Sequence, residues 1–148
     1  MGYAYVRGVS ACLLGVACRY DGCALPESSC LPTGDGCDYL PFCPEQLGGL
    51  STPRPPAQIV GGDGEDVLDG RARLEDETGR DVTAAFVRGA REAVDLCRRL
   101  GITEVLLKAR SPSCGYGQIY RGSELVEGMG VTAALMRRHG IRVTSSMD

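Results

Sequence analysis

Thr83-Ala84-Ala85-Phe86-Val87-Arg88-Gly89-Ala90-Arg91-Glu92-Ala93-Val94-Asp95-Leu96-Cys97-Arg98-Arg99-Leu100-Gly101-Ile102 is the stretch on which the fold turns. Phe86, Ala90, Ala93, Val94, Cys97 and Leu100 recur at helical spacing, which predicts a helix over residues 83–100 with Thr83 as its N-cap. Gly101 follows where a left-handed residue closes a helix. Ile102 to Ala109 then reads as a strand, with Val105-Leu106-Leu107 as its buried centre. The same order returns later. A second helical pattern spans about residues 130–139, and Arg137-Arg138-His139-Gly140-Ile141 echoes Arg98-Arg99-Leu100-Gly101-Ile102. Two helix-glycine-strand units predict an α/β layout with a mostly parallel sheet. Right-handed crossovers then bring the strand C-termini to one edge, outside which ligands of such sheets bind.

Upstream, Tyr5 to Cys12 reads as a first strand running into a turn at Leu14-Gly15, and Tyr39 to Cys43 as a second. Residues 18–38 between them are loop-like, marked by Asp21-Gly22, Pro26, Pro32 and Gly34-Asp35-Gly36. Gly48-Gly49-Leu50 and Pro53-Arg54-Pro55-Pro56 make a rigid connection that cannot be helix interior. Gly61-Gly62-Asp63-Gly64 and Asp69-Gly70 bracket a further irregular stretch, with Arg71 to Glu75 as a short strand.

The 148 residues suffice for one domain with its own core. The net charge of −3 and a pI near 5.2 argue against a whole-surface grip on nucleic acid. Lys108 is the sole lysine, so arginines carry the positive charge. No run of about 18 apolar residues predicts a membrane span. The start, Met1-Gly2-Tyr3-Ala4-Tyr5-Val6-Arg7, lacks the pattern of a signal peptide, and Val6 argues against myristoylation. The expected location is cytoplasmic. Eight cysteines in such a chain read as metal ligation, catalysis or buried small hydrophobes rather than as a disulfide framework. Cys97, on the apolar helix stripe, reads as packing.

Three cysteines stand in glycine- or proline-marked turns directly after strands: Ser10-Ala11-Cys12-Leu13-Leu14-Gly15, Phe42-Cys43-Pro44-Glu45 and Ser111-Pro112-Ser113-Cys114-Gly115. Three thiolates converging at one sheet edge form a metal or cluster site with an open coordination position. None belongs to a paired Cys-x-x-Cys motif, so zinc-ribbon spacing is absent and zinc or a four-iron cluster remain alternatives. The plainer reading is cysteines packed at strand ends.

Glu45, two residues past Cys43, is a candidate general base or proton carrier; the alternative is an N-cap or surface carboxylate. Ser111 and Ser113 can donate to a substrate or simply form the turn. Cys18 is a reserve ligand, while Arg19 and Asp21 could face the site. Cys23, Cys30 and Cys37 match no ligand pattern. Gly61-Gly62-Asp63-Gly64 is neither a P-loop nor a dinucleotide fingerprint and reads as a turn near the site. His139 ends a helix, where a cation meets the negative dipole end.

Together, Val9 to Gly15, Cys18 to Gly22, Cys43 to Leu50, Pro53 to Pro56, Gly61 to Gly64, Arg110 to Gly115 and Gly130 to Leu135 resemble the bacterial thiouracil desulfidase family over nearly the whole chain. The resemblance implies a [4Fe-4S] cluster held by Cys12, Cys43 and Cys114, whose fourth iron binds the sulfur of a thiolated uracil. It also implies that Glu45 activates water or shuttles its proton, assisted by a serine of the 111–113 turn, in a hydrolytic reaction that consumes no electron donor. The chain departs from the family pattern in two places. Residues 23–38 are rich in proline, glycine and cysteine where relatives would carry a helix, and Arg121 stands where an aspartate is usual.

The expected fold is α/β, a small single-domain Rossmann-like three-layer sandwich, with residues 1–148 as one desulfidase-like domain. The expected partner is a thiolated pyrimidine base or nucleotide; intact tRNA suits an acidic chain less well. Two alternatives belong to other classes. One is a non-catalytic metal or iron–sulfur protein for sulfur relay or redox sensing. The other is a metal-free transferase with Cys114 as nucleophile, which needs a lowered thiol pKa.

Overall fold

The computed structural model describes residues 6–32 and 36–146. The expectations placed on Met1 to Tyr5, and on Gly34-Asp35 of the loop, lie outside the described residues. In chain order the elements are β1 (Val6–Ser10), β2 (Asp38–Phe42), α1 (Pro44–Leu47), β3 (Ala57–Val60), α2 (Gly64–Leu68) and β4 (Arg73–Asp76). There follow α3 (Thr83–Arg99), β5 (Glu104–Leu107), β6 (Tyr116–Arg121), β7 (Glu124–Met129), α4 (Val131–Arg138) and β8 (Arg142–Ser145).

Four strands form one sheet in the order β2-β1-β5-β8, and every neighbouring pair is parallel. β1 pairs with β2 on one side and β5 on the other, so the direction of winding reverses between β1 and β5. The expected α/β class with a parallel sheet is what the chain adopts. Two antiparallel pairs, β3–β4 and β6–β7, stand outside this sheet.

α3 forms where the apolar stripe predicts it. Its first half places Phe86 and Ala90 in a core with Ile59, Leu74, Ile119 and Val131. Its second half places Ala93, Val94 and Cys97 against Phe42, Val105 and Leu107 of the sheet. Burying a side chain as large as Phe86 contributes about 1.5–3 kcal/mol, so this stripe rather than helix propensity sets the element. Gly101 takes the left-handed conformation at φ +68°, and the Ile102 amide donates back to the Cys97 carbonyl at 2.8 Å.

Thr83 is the first helical residue, and Val82 takes the cap position. The Thr83 hydroxyl accepts from the Leu74 amide at 2.8 Å instead, tying the start of the helix to β4. The amide of Thr83 is satisfied by the Asp81 carboxylate at 2.9 Å.

Side chains alternate across the sheet. Phe42, Val105 and Leu107 face α3 and α4, whereas Val9 and Leu106 face the opposite side. There the covering layer is the Ala11–Leu14 3₁₀ turn and irregular chain carrying Cys18, Leu25 and Leu31. The third layer is therefore made of loop, with one more 3₁₀ turn at Glu27–Ser29.

One element corrects the sequence reading, and β3 and the β6–β7 hairpin add to it. The stretch after Gly61-Gly62 is helix α2, because Asp63 accepts from the Glu65 and Asp66 amides while Asp66 accepts from the Asp63 amide. Such a capping box satisfies amides that a short helix otherwise leaves open. Ala57–Val60 is a strand, paired with β4. Residues 116–129 form a hairpin closed by Gly122-Ser123, with Gly122 at φ +65°. No helix among the described residues is long and apolar enough to cross a membrane.

Candidate functional site

β1, β2 and β5 end side by side, and each is followed by a turn that carries a cysteine. Ser10 closes β1, and Cys12 sits in the 3₁₀ turn that Gly15 terminates at φ +89°. Cys43 leaves β2 as the N-cap residue of α1, with Pro44 in the first helical turn. Cys114 follows β5 in a turn fixed from within. Its amide donates to Ser111 Oγ at 2.7 Å, and the Gly115 amide donates to the Ser111 carbonyl at 2.9 Å. All three cysteines line one cavity of about 870 Å³, together with Ser10, Glu45 and Arg54. The cavity lies at the carboxyl edge where the strand order reverses, the position a doubly wound sheet offers to ligands.

Burial pushes the Cys114 thiol up to about 12; the Ser10 hydroxyl partly offsets it, while the charges of Glu45 and Cys43 add to it. Cys43 is raised well above the ordinary thiol range, first by its hydrogen bond with the Cys18 thiol and then by burial. Cys18 is raised too, chiefly by its hydrogen bond with the Cys12 thiol. Cys18, 3% exposed, thus stands beside two of the three turn cysteines, and its carbonyl accepts from the Cys43 thiol at 3.7 Å. A raised pKa keeps each thiol protonated at neutral pH, the reverse of what a metal-free Cys114 nucleophile requires. Thiolates form in such a site when a metal replaces the proton.

The donor set is all sulfur, which suits iron–sulfur chemistry. Sulfurs bound to a single tetrahedral zinc lie only about 3.8 Å apart, from Zn–S bonds of about 2.3 Å. Among the described residues no three His, Cys, Asp or Glu side chains are grouped closely enough to hold one ion. A four-iron cluster spreads its thiolates over separate irons, so three turns facing one cavity fit that group better than zinc.

Glu45 lies in the first turn of α1 and lines the cavity. Its Oε2 accepts from Arg54 Nε at 2.6 Å, with the two side chains 17% and 6% exposed respectively. Arg54 is a site residue to which the sequence reading gave no role. Its signal was available: it is the one charged residue inside a proline-bracketed turn, where a long side chain has little freedom.

Ser111 lines the cavity. Ser113 does not: it is 1% exposed, and its hydroxyl shares a hydrogen bond with Thr132 Oγ1 at 2.9 Å. The same hydroxyl oxygen accepts from the Cys114 thiol at 3.9 Å, so Ser113 joins the Cys114 turn to α4. Ser113→Ala should cost about 1–3 kcal/mol, because it leaves the buried Thr132 hydroxyl short of a partner. Thermal unfolding would read that loss, with turnover per loaded molecule unchanged.

Arg19 and Tyr20 also border the cavity, Arg19 lying 3.9 Å from Asp21. Cys23, Cys30, Cys37 and Gly61 to Gly64 are absent from its lining. The glycine turn is thus a helix start rather than part of the site. Arg121 donates to the Gly62 carbonyl at 3.2 Å, and His139 is the C-cap of α4. Cys97 is fully buried between α3 and the sheet.

A profile of the 2-thiouracil desulfurase family matches residues 8–148. The chain belongs to that family. Among its relatives is the Bacillus subtilis (strain 168) protein described as "Uncharacterized protein YbbK", 44% identical over 143 residues and covered to 95% on both sides. A solved structure of a [4Fe-4S]-dependent thiouracil desulfidase, TudS, superposes with a TM-score of 0.81 at 44% identity, over 95% of this chain and 90% of the other. The fold described above is thus shared with that thiouracil desulfidase of known structure.

Proposed function

We propose that this chain is a [4Fe-4S]-dependent desulfidase that exchanges the sulfur of a thiolated uracil base or nucleotide for oxygen, with residues 1–148 acting as one domain. One observation carries the reading: three cysteine turns at adjacent strand ends open on a single cavity beside an oriented carboxylate, in a member of the 2-thiouracil desulfurase family. The name of the TudS relative, which includes the cluster, supports the same cofactor.

Cys12, Cys43 and Cys114 would hold the cluster, which supplies when bound an iron with an open position able to act as a Lewis acid toward sulfur. The protein's own residues do the rest. A thiocarbonyl and water give a carbonyl and hydrogen sulfide, so protons move but no electron donor is needed. Glu45, with one oxygen held by Arg54, takes the proton of the attacking water and returns it to the departing sulfur. Ser111 spends an acceptor site on the Cys114 amide and keeps its own O–H for the substrate. Eight free thiols suit a reducing cytoplasm. With a net charge of −3, the chain suits a small thiolated pyrimidine better than intact tRNA.

Anaerobic reconstitution, iron and sulfide analysis, and assay of sulfide and uracil from 2-thiouracil test the proposal. Iron-free protein after reconstitution would sink it, whereas a loaded but inert protein would favour sulfur relay or redox sensing. Glu45→Gln should keep the cluster and lower turnover by about 10²–10⁴-fold, the usual worth of a general base. Wild-type turnover in that variant would remove Glu45 from the reaction.

A further inference from the structure

A carboxylate that handles the protons of water must present one oxygen in a fixed direction and leave it free. Glu45 stands on a four-residue helix, too short for its own packing to lock a flexible side chain. What holds it is Arg54. The guanidinium has five N–H donors in a rigid fork, and the structure occupies four of them. Nε donates to Glu45 Oε2 at 2.6 Å, and Nη2 to the Cys18 carbonyl at 2.9 Å. Nη1 donates to both the Ser51 carbonyl at 3.2 Å and Thr52 Oγ1 at 3.0 Å. The Arg54 amide adds a bond to the Tyr20 carbonyl at 2.7 Å.

The fork is thus fixed on three sides by groups other than Glu45, and its side chain is 6% exposed. Glu45 accepts through Oε2 alone, and among the described residues no hydrogen bond is made to its Oε1. The Cys18 carbonyl that receives Nη2 also accepts from the Cys43 thiol at 3.7 Å. One side chain therefore sets the carboxylate and the thiol-bearing turns in a common register.

We propose that Arg54 is the positioning residue for Glu45: its over-determined fork aims the free carboxylate oxygen into the cavity between the cysteine turns. This rests on the role given to Glu45 above. Arg54 acts through that carboxylate and touches no reacting atom. A lysine keeps the charge but is a point donor, unable to reach Glu45, the Cys18 carbonyl and Thr52 at once.

The test compares reconstituted wild type, Arg54→Met, Arg54→Lys, Glu45→Gln and the Arg54→Met/Glu45→Gln double variant. It measures kcat and KM for 2-thiouracil, iron and sulfide per chain, and the cluster's absorption spectrum. Arg54→Met should load a cluster of wild-type spectrum and lose about 10²-fold in kcat, the usual result of a reacting group misplaced by about 1 Å. KM should stay within about threefold, because ground-state binding is not what Arg54 serves. Arg54→Lys should recover part of kcat. In the Glu45→Gln background, adding Arg54→Met should change kcat by no more than about twofold, since there is no carboxylate left to aim.

Multiplicative losses in the double variant would overturn the proposal. So would wild-type kcat in Arg54→Met beside an inactive Glu45→Gln. Cluster loss in both Arg54 variants would also overturn it, assigning Arg54 to the thiol turns alone. Wild-type turnover in Glu45→Gln would instead strike at the Glu45 reading itself.

Discussion

Cys114→Ser is expected to yield a folded protein that retains little iron and releases no measurable sulfide from 2-thiouracil. The replacement is nearly isosteric. It is also neutral for neutral, because burial pushes the Cys114 thiol up to about 12 and keeps it protonated in the cluster-free chain at neutral pH. The serine hydroxyl can still donate to Ser113 Oγ, as the thiol does, and keep its contact with Ser10. Stability should therefore move little, and the loss should fall on metal retention. Metal–thiolate sites of the zinc-finger type are held by about 10–16 kcal/mol. Removing one ligand of three should then cost on the order of 3 kcal/mol or more, at least a hundredfold in retention. Cys97→Ala is the contrast: buried away from the cavity, it should lose some stability and load a full cluster. Full iron content and turnover in Cys114→Ser would exclude it as a ligand.

Gly89→Ala should destabilise the protein although helix propensity predicts the opposite. In the middle of α3, alanine is favoured over glycine by about 1 kcal/mol. Yet a Cβ at Gly89 would collide with the carbonyl oxygen of Pro44 and stand 3.1 Å from the Gly48 amide nitrogen. Gly48 is equally close in return, its Cβ falling on the Ala85 carbonyl of α3. Backbone meets backbone here, so no side chain can move aside. Overpacking of this kind costs about 1–3 kcal/mol and more where backbone must shift. A net loss of about 2 kcal/mol would lower Tm by about 4–8 °C in a chain of this size. Because α1 carries Cys43 and Glu45 at its start, the shift should also reduce cluster content. A raised Tm would show that propensity, not contact, decides the position.

The parallel sheet was legible because its helices are long and their apolar faces regular. Phe86 to Cys97 can be read at a period of 3.6, and Gly101 marks its end without ambiguity. The three cysteine turns were legible because strand, turn and thiol are consecutive. What escaped depends on partners distant in sequence. The Arg54–Glu45 pair spans a proline-rich turn that no periodicity reports. The glycines of Gly61 to Gly64 hide a helix start, which the Asp63–Asp66 capping box makes. In the hairpin, Gly117 and Gly128 interrupt the alternation that identifies β6 and β7. The difference between Ser111 and Ser113 is one of direction within a single turn, which Thr132 decides from another helix.

The layer opposite α3 and α4 is loop, and Cys12 stands where that loop begins, in the turn that leaves the end of β1. The length of such chain is therefore nearly independent of where Cys12 stands. Doubling a flexible loop costs only about 0.6 kcal/mol in closure entropy, far less than re-registering a buried parallel strand. Length can thus change between Asp21 and Ser29, outside the residues that bond Arg54, Cys43 and the Cys12 turn, while the thiols keep their place. The thiols and the loop residues that brace them are tied to the sheet, and the chain between is where an insertion costs least.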